Sequence, residues 1–326
     1  MSVLREMSRS VLKHITHSVV GPFEHKATPL KKVVILIPLS TRPELTEEEV
    51  ISMRQIRHYF GNYEKFLIAP EGMEVNHEGF GVKYFPRRFF GSVAAHGRML
   101  NTPQFYSHFE DYEYIFFHHL DALAFSDQLE EWCGKDIDYI GPPWIKCEDS
   151  PWVDRPRVGN GGFTLLRIQK NLEVFRNRHL AEPITYWLDL FSFHATAPMI
   201  GKLERLKGIF PFSIIAKRLL KEWYETEDPC PNNRNSDIFW SDRASEYLAD
   251  FKVASVEDGL KFAFEVSPRT CLELNGGKMP FGCHAWARYD RAFWEPFLVP
   301  ADGVGNAGGD SEIPEYKSSR PVAISA

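Results

Sequence analysis

The sequence has few cysteines and no regular pattern among them. Its 326 residues contain five cysteines, an odd number, and no C-x-x-C pair. A disulfide framework or a structural zinc site needs cysteines at regular spacings. The cysteine content therefore argues against both and favours a reducing compartment, so we expect a cytoplasmic protein.

A long apolar run and an excess of positive charge are also lacking. No uncharged apolar stretch reaches the roughly 18 residues of a membrane-spanning helix, and the first thirty residues contain no apolar run of signal-peptide length. Lys and Arg number 38 against 44 Asp and Glu, which gives a net charge of −6. Because general nucleic-acid binders rely on a basic surface, we expect no nucleic-acid partner.

The remaining composition is that of a globular protein. Hydrophobic residues make up 44% and charged residues 25% of the chain, which supplies ample material for a core. We expect a lead-in over residues 1–30 and a single domain over residues 31–299. The segment 300–326 is rich in Gly, Pro, Ser and Asp, and we expect it to be disordered.

Strand and helix patterns alternate along the domain. The β-branched run Lys31–Pro38 predicts a parallel strand buried on both faces, and Thr46 with Glu49 three residues later predicts a capping box at a helix start. Further strands are expected at 65–70, 81–85, 112–117, 139–140 and 162–166, with helices over 93–110 and most of 169–223. This order predicts an α/β fold with a doubly wound, Rossmann-type, mostly parallel twisted sheet, flanking helices and a helical insertion near the C-terminal half.

One carboxylate and one glycine-rich segment stand at strand ends, where open α/β sheets bind ligands. Asp121 follows the most apolar strand, and a divalent cation would suit it because hard metals prefer oxygen ligands. A helix cap or an ion pair is the alternative. Val158–Phe163 contains three glycines, which would let the backbone approach a ligand closely or simply form a turn.

Two later residues are candidates for chemistry. Asp237 ends a polar loop that begins at Asn232 and leads into an apolar helix, so it is either a catalytic carboxylate or a helix cap. His284 lies in the turn Pro280–Trp286, between aromatic residues. A structural histidine is the alternative interpretation for that position.

In combination these segments resemble a bacterial family of largely uncharacterised GT-A-like glycosyltransferases, from about Val33 to Phe297. The order of the motifs is specific, although no single motif is. The segments that carry the resemblance are Tyr114–Asp121, Phe125–Cys133, Asp138–Trp144, Val158–Phe163, Ser236–Asp237 and Pro280–Trp286.

The resemblance implies a metal-dependent, inverting, hexosyltransferase-like enzyme. It would move a sugar from a nucleotide-sugar donor to a hydroxyl of a bacterial polysaccharide or glycolipid precursor. By this resemblance Asp121 and His284 would hold Mn²⁺ or Mg²⁺, and Asp237 would be the general base. His119 stands where the family's Asp-x-Asp motif has its first aspartate, so the sequence departs from the full pattern there.

The donor is expected to lie against the ends of the first strands and the glycine-rich segment. The residues expected to contact it are Pro38, Ser40, Arg42, Glu71, His119, Asn160, Gly161 and Gly162.

The segment 200–223 combines apolar residues with six Lys and Arg residues. Such a basic amphipathic segment is either an ordinary surface helix or a peripheral contact with an anionic membrane. The second interpretation places the protein at the inner membrane face and suits a lipid-linked glycan acceptor.

Two other function classes stay open. A non-catalytic protein that binds nucleotide-sugars or glycans on the same fold would tolerate the incomplete acidic motif at His119. A metal-dependent phosphoesterase would need more carboxylates than the sequence places around Asp121.

Overall fold

The computed structural model describes residues 29–209, 212–224 and 236–301. Three sequence predictions fall wholly or mostly outside these ranges. They concern the lead-in over 1–30, the polar loop before Asp237, and the tail over 300–326.

A six-stranded sheet forms the centre of the described structure. The strand order is β3-β2-β1-β4-β9-β6. The strands β3, β2, β1 and β4 are parallel to one another, whereas β9 runs antiparallel to both β4 and β6. The predicted mostly parallel α/β sheet is therefore confirmed. The bounds are β1 Lys31–Pro38, β2 Lys65–Pro70, β3 Gly81–Phe85, β4 Tyr112–His118, β6 Tyr139–Ile140 and β9 Phe163–Arg167.

Five strands of two residues each complete the β-structure, and the sequence did not predict them. A strand of two residues is too short to show any periodicity. Three of them form a small sheet in the order β10-β11-β5, and the other two pair as β7 and β8. The bounds are β5 Leu123–Ala124, β7 Pro143–Trp144, β8 Arg157–Val158, β10 Ala263–Phe264 and β11 Gly282–Cys283.

Helices flank the sheet, and the stretch from 168 to 224 is mostly helical, as predicted. A π-helical turn, Phe239–Arg243, connects α9 to α10. The helices are α1 Glu47–Tyr59, α2 Val93–Leu100, α3 Pro103–Tyr106, α4 Leu129–Cys133, α5 Ile168–Ala181, α6 Pro183–His194, α7 Ala197–Leu206, α8 Ser213–Tyr224, α9 Ser236–Ile238, α10 Ala244–Tyr247, α11 Val256–Phe262, α12 Pro268–Leu274 and α13 Arg291–Trp294. None of the helices in the described ranges is long and apolar enough to cross a bilayer.

The start of α1 is confirmed and the continuous helix over 93–110 is wrong. Thr46 accepts a hydrogen bond from the Glu49 N–H at 3.3 Å, and Glu49 accepts one from the Thr46 N–H at 2.8 Å. The predicted second helix is divided into α2, α3 and a 3₁₀ turn at Ser107–Phe109. Pro103 causes the break, because proline has no N–H and disfavours helical geometry in the residue before it.

An aromatic cluster fixes the strand ends at one edge of the sheet. The ring centroids of Phe116 and Phe163 are 4.8 Å apart and nearly perpendicular, and Phe281 lies 5.2 Å from Phe163. Phe163 packs directly on Gly282, where an added Cβ would lie only 2.1 Å from its ring. Each such aromatic pair contributes about 0.5–1.5 kcal/mol beyond its buried area. The cluster therefore joins β4, β9 and β11 rigidly.

Candidate metal and substrate site

The pairing of β4 with β9 brings the glycine-rich segment to Asp121. His118, the last residue of β4, pairs with Phe163, the first residue of β9. Because these strands are antiparallel, the chain entering β9 lies at the edge where β4 ends. The N–H of His119 donates to the carbonyl of Gly162 at 2.8 Å. Asp121, two residues farther on, therefore shares this edge with the glycine-rich segment.

The small sheet brings His284 to the same place. β11 runs antiparallel to β5, with Cys283 opposite Leu123. The Trp286 N–H donates to the backbone carbonyl of Asp121 at 3.1 Å. These contacts place Nε2 of His284 3.2 Å from Oδ1 of Asp121.

His119, Asp121 and His284 form a cluster of the size of a metal site. Each offers one ligand atom, and the three atoms lie within 4.8 Å of one another. A small divalent cation about 2.1 Å from each ligand would need these atoms no more than about 4.2 Å apart. Small side-chain movements would therefore bring the three ligand atoms close enough to coordinate one cation. Two imidazoles and one carboxylate are a donor set for a first-row divalent cation, because imidazole suits metals such as Fe²⁺ and Zn²⁺ and the carboxylate also suits Mn²⁺.

Asp121 and His284 form an ion pair in the ion-free protein. Burial lowers the pKa of His284, but the carboxylates of Asp121 and Glu265 outweigh that effect and raise it to about 10. Burial likewise raises the pKa of Asp121, but the charge and hydrogen bond of His284 outweigh it and hold the pKa below the usual range. A cation would take the place of the proton on Nε2 of His284.

His119 is neutral and has an unused ring nitrogen. Burial is the main cause that lowers its pKa to about 4. Its buried Nε2 has no hydrogen-bond partner among the described residues. Its ring centroid lies 5.8 Å from that of His284. A neutral imidazole within reach of Asp121 fits a metal ligand, so the departure from Asp-x-Asp leaves a donor residue in place.

Glu265 orients both His284 and Asn160, and the sequence did not identify it. Phe264 pairs with Cys283 in the parallel strands β10 and β11, so the next residues, Glu265 and His284, lie side by side. Oε1 of Glu265 is 3.1 Å from Nδ1 of His284 and accepts from Nδ2 of Asn160 at 2.8 Å. The Glu265 side chain is largely buried. A carboxylate on Nδ1 fixes the ring orientation so that Nε2 faces Asp121.

Gly162 and Gly161 lie against the two functional side chains. An added Cβ on Gly162 would be 2.0 Å from Nε2 of His284, so only glycine leaves room for that ring. At Gly161 an added Cβ would be 3.7 Å or more from Asp237, an ordinary contact. Asn160 accepts from the Gly162 N–H through Oδ1 at 2.9 Å. Two adjacent glycines of this segment therefore pack against His284 and Asp237, one against each side chain.

Asp237 faces this site from α9. It lies within the first turn of that helix, next to Gly161. Its buried Oδ1 has no hydrogen-bond partner in the described part of the chain. Burial is the largest cause that raises the pKa of Asp237 to about 6, and the negative charge of Glu265 adds to it. The carboxylate is therefore a base of near-neutral strength with one unused oxygen.

The donor-contact residues of the first strands lie at the carboxyl ends of β1, which is next to β4 in the sheet, and of β2, which is next to β1. Pro38 ends β1, and Ser40 accepts from the Arg42 N–H at 3.2 Å. The Arg42 guanidinium is bound by Glu49 at 2.7 Å. Glu71 directly follows β2. Their contact with a donor stays a prediction.

Three solved structures are similar to this chain. The apo-form glycosyltransferase GlyE of Streptococcus pneumoniae TIGR4 matches at 11% identity and a TM-score of 0.37, over 83% of this chain and 61% of its own, so this chain spans less than two thirds of it. A glycosyltransferase involved in glycosylation of the major capsid of PBCV-1 matches at 14% and 0.35, over 80% and 96%. The galactosyltransferase LgtC, solved with donor and acceptor sugar analogues, matches at 10% and 0.41, over 82% and 98%. At these scores no residue role is transferred from them.

No curated protein sequence matches this chain. The sequence profile of one family, described as "Protein of unknown function (DUF5672)", matches residues 79–284. The match spans more than half of the chain and includes Asp121, Gly162, Asp237 and His284. The chain is thus a member of the DUF5672 family.

Proposed function

We propose that the protein is a metal-dependent glycosyltransferase that moves a sugar from a nucleotide-sugar donor to a hydroxyl group. The observation that carries this proposal is the convergence of a metal-sized cluster with a buried carboxylate, one oxygen of which has no hydrogen-bond partner among the described residues. His119, Asp121 and His284 form the cluster. Asp237 lies against Gly161, and the next residue, Gly162, lies against His284. Glycosyl transfer with inversion needs these two elements, charge stabilisation for the leaving group and a base for the acceptor.

The cluster fits a divalent cation on its own chemistry. One ring nitrogen of His119 lies within 4.8 Å of ligand atoms of Asp121 and His284, and its buried Nε2 has no hydrogen-bond partner among the described residues. Bound Mn²⁺ or Mg²⁺ would supply Lewis-acid stabilisation of the negative charge on the leaving diphosphate. Glu265 holds Nδ1 of His284 and thereby directs Nε2 toward Asp121. These residues would bind and orient the diphosphate.

Asp237 is the proposed general base. Its carboxylate would accept the proton of the acceptor hydroxyl while the hydroxyl oxygen attacks the anomeric carbon. The sugar–phosphate bond breaks, and the diphosphate leaves with the electron pair. A pKa of about 6 leaves Asp237 mainly ionised at neutral pH and still basic enough to take the proton.

The donor would extend from this cluster along the neighbouring strand ends. Pro38, Ser40, Arg42 and Glu71 are placed to contact its nucleoside and diphosphate. Asn160, held by Glu265, would contact the donor sugar. The proposed acceptor is a hydroxyl of a bacterial polysaccharide or glycolipid precursor.

One observation favours a second candidate, a non-catalytic nucleotide-sugar or glycan-binding protein. The acidic motif is incomplete at His119, and Asp121 is already paired with His284. A protein of this kind would bind a nucleotide-sugar and leave its glycosidic bond intact.

A panel of nucleotide-sugars, each with and without Mn²⁺, distinguishes the candidates. We expect one donor to raise the melting temperature in the presence of Mn²⁺, and to be hydrolysed slowly until EDTA is added. Asp121→Ala should remove the Mn²⁺-dependent shift. Asp111→Ala is the matched control, because Asp111 precedes β4 and Asp121 follows it. Donor binding without hydrolysis, with or without Mn²⁺, would favour the second candidate, and absence of any Mn²⁺-dependent donor binding would contradict the metal-dependent transferase.

A further inference from the structure

Helix α8 exposes large apolar side chains. Ile214 is 74% and Ile215 64% exposed, and Phe212, just before the helix, is 40% exposed. The inner face of the helix is already filled, because Ala216 and Leu220 are buried in a small core with residues of α6 and α7. The exposed isoleucines therefore form an additional apolar surface that the described fold does not cover.

Basic side chains share the outer face of α8 with these isoleucines. Ile214, Lys217, Arg218 and Lys221 are spaced i, i+3, i+4 and i+7, which places them on one side of a helix. All four are exposed. The sequence of α8 contains these three basic residues and one acidic residue, Glu222. The outer face is thus both apolar and positively charged.

The adjoining helix α7 also carries a net positive charge. Lys202 and Arg205 are exposed on it, and Lys207 follows it. Its single acidic residue, Glu204, forms an ion pair with Lys207. Residues 197–224 thus hold six basic residues and two acidic residues, whereas the whole chain has a net charge of −6. The positive charge is concentrated where the isoleucines are exposed.

We propose that this basic–apolar surface, formed by Phe212, Ile214, Ile215, Lys217, Arg218 and Lys221, docks on a bilayer that contains anionic phospholipid. An anionic bilayer suits both kinds of side chain on this surface. Its headgroups attract the Lys and Arg side chains, and its acyl boundary accepts the isoleucines. A nucleic acid would neutralise the charge but would leave the aliphatic side chains in water.

The test uses the full chain and vesicles of phosphatidylcholine with and without phosphatidylglycerol. We expect co-sedimentation with the phosphatidylglycerol vesicles only, weakening as salt is raised because the headgroup attraction is screened. Lys217→Gln/Arg218→Gln should weaken binding roughly 25-fold, at about fivefold for each charge. Ile214→Ser/Ile215→Ser should weaken it at low and high salt alike.

Matched controls lie on other surfaces of the chain. Val93→Ser/Leu180→Ser removes two apolar side chains that are 77% and 76% exposed, and Lys261→Gln/Lys278→Gln removes two exposed charges. Both controls should bind vesicles like the parent chain, and circular dichroism should show every variant folded. The proposal is overturned if vesicles without phosphatidylglycerol bind equally, if no vesicle binds, or if the controls lose as much. It is also overturned if a short DNA duplex binds more tightly than the vesicles.

No donor or Mn²⁺ is present in this assay. Its result is therefore independent of the proposed glycosyl transfer, and failure of either proposal leaves the other standing.

Discussion

The edge of the sheet and the helix α8 carry opposite kinds of unsatisfied group. At the sheet edge polar atoms are buried, and Nε2 of His119 and Oδ1 of Asp237 have no partners within the described ranges. On α8 apolar side chains are exposed instead, with Ile214 and Ile215 most of all. A buried polar atom without a hydrogen bond costs about 1–3 kcal/mol, and an exposed isoleucine forgoes about 1.5–3 kcal/mol of burial. Each region is therefore suited to a different ligand.

The two regions are also held in different ways. The sheet edge depends on long-range register, because Asp121, Gly162 and His284 come from three separate strand ends. Helix α8 rests on a small core of its own with Leu203 and Phe191. We therefore expect substitutions at the sheet edge to change metal binding and catalysis and to leave vesicle binding unaltered.

The largest expected effect separates chemistry from membrane docking. Asp237→Asn removes the proposed base and keeps its size, so the transfer rate should fall by ~10²–10⁴-fold. Donor binding, measured by thermal shift with Mn²⁺, and vesicle binding should stay unchanged. Asp242→Asn is the control, because Asp242 lies in the following π-helical turn and pairs with Arg157 at 3.1 Å. A normal transfer rate in Asp237→Asn would show that another group takes the proton.

The next effect tests whether the glycine-rich segment makes room for a metal ligand. Gly162→Ala would put a methyl group 2.0 Å from Nε2 of His284 and force the ring away. A displacement of about 1 Å at a reacting site costs on the order of 10²-fold in rate, and Mn²⁺ affinity by calorimetry should fall with it. Gly161→Ala, whose methyl group meets Asp237 at ordinary distance, should retain Mn²⁺ binding. Equal losses in the two variants would contradict this assignment.

The sequence could predict the fold because its large strands are long and apolar. Val34, Ile35, Leu36 and Ile37 are fully buried, as a strand covered on both faces requires. Asp121 could be singled out because it follows such a strand. The proposed metal role of His284 came from family resemblance, and its position beside Asp121 depends on strands of two residues that have no sequence periodicity.

Glu265 could not be found for the same reason. It follows Ala263–Phe264, and nothing in that pair distinguishes a strand from a turn. Its function arises only when β10 and β11 align in register. Gly162 was predicted to let a ligand approach the backbone, whereas its close contact in the structure is His284. Which side chain fills the space above a glycine depends on tertiary packing.

Glu265 gives a smaller effect that acts through His284. Glu265→Gln keeps the size and removes the charge that orients the ring, so Mn²⁺ affinity should fall by ~10–100-fold. Titration calorimetry measures this directly, and the melting temperature without metal separates it from loss of folding. Glu273→Gln, an exposed carboxylate in α12, is the control. Unchanged Mn²⁺ affinity in Glu265→Gln would remove Glu265 from the site.

The smallest expected effect is on pH dependence, and it divides the two regions once more. Because the pKa of Asp237 is raised to about 6, its basic form is lost as the pH falls through that value. At saturating Mn²⁺, kcat/KM should therefore decrease about tenfold from pH 7 to pH 5, with a midpoint at or a little below 6 because a nearby cation favours the carboxylate. Lys217, Arg218 and Lys221 stay charged throughout this range, so vesicle binding should not change. If vesicle binding followed the same curve as the rate, one titrating group would govern both regions, and the division between the sheet edge and α8 would fail.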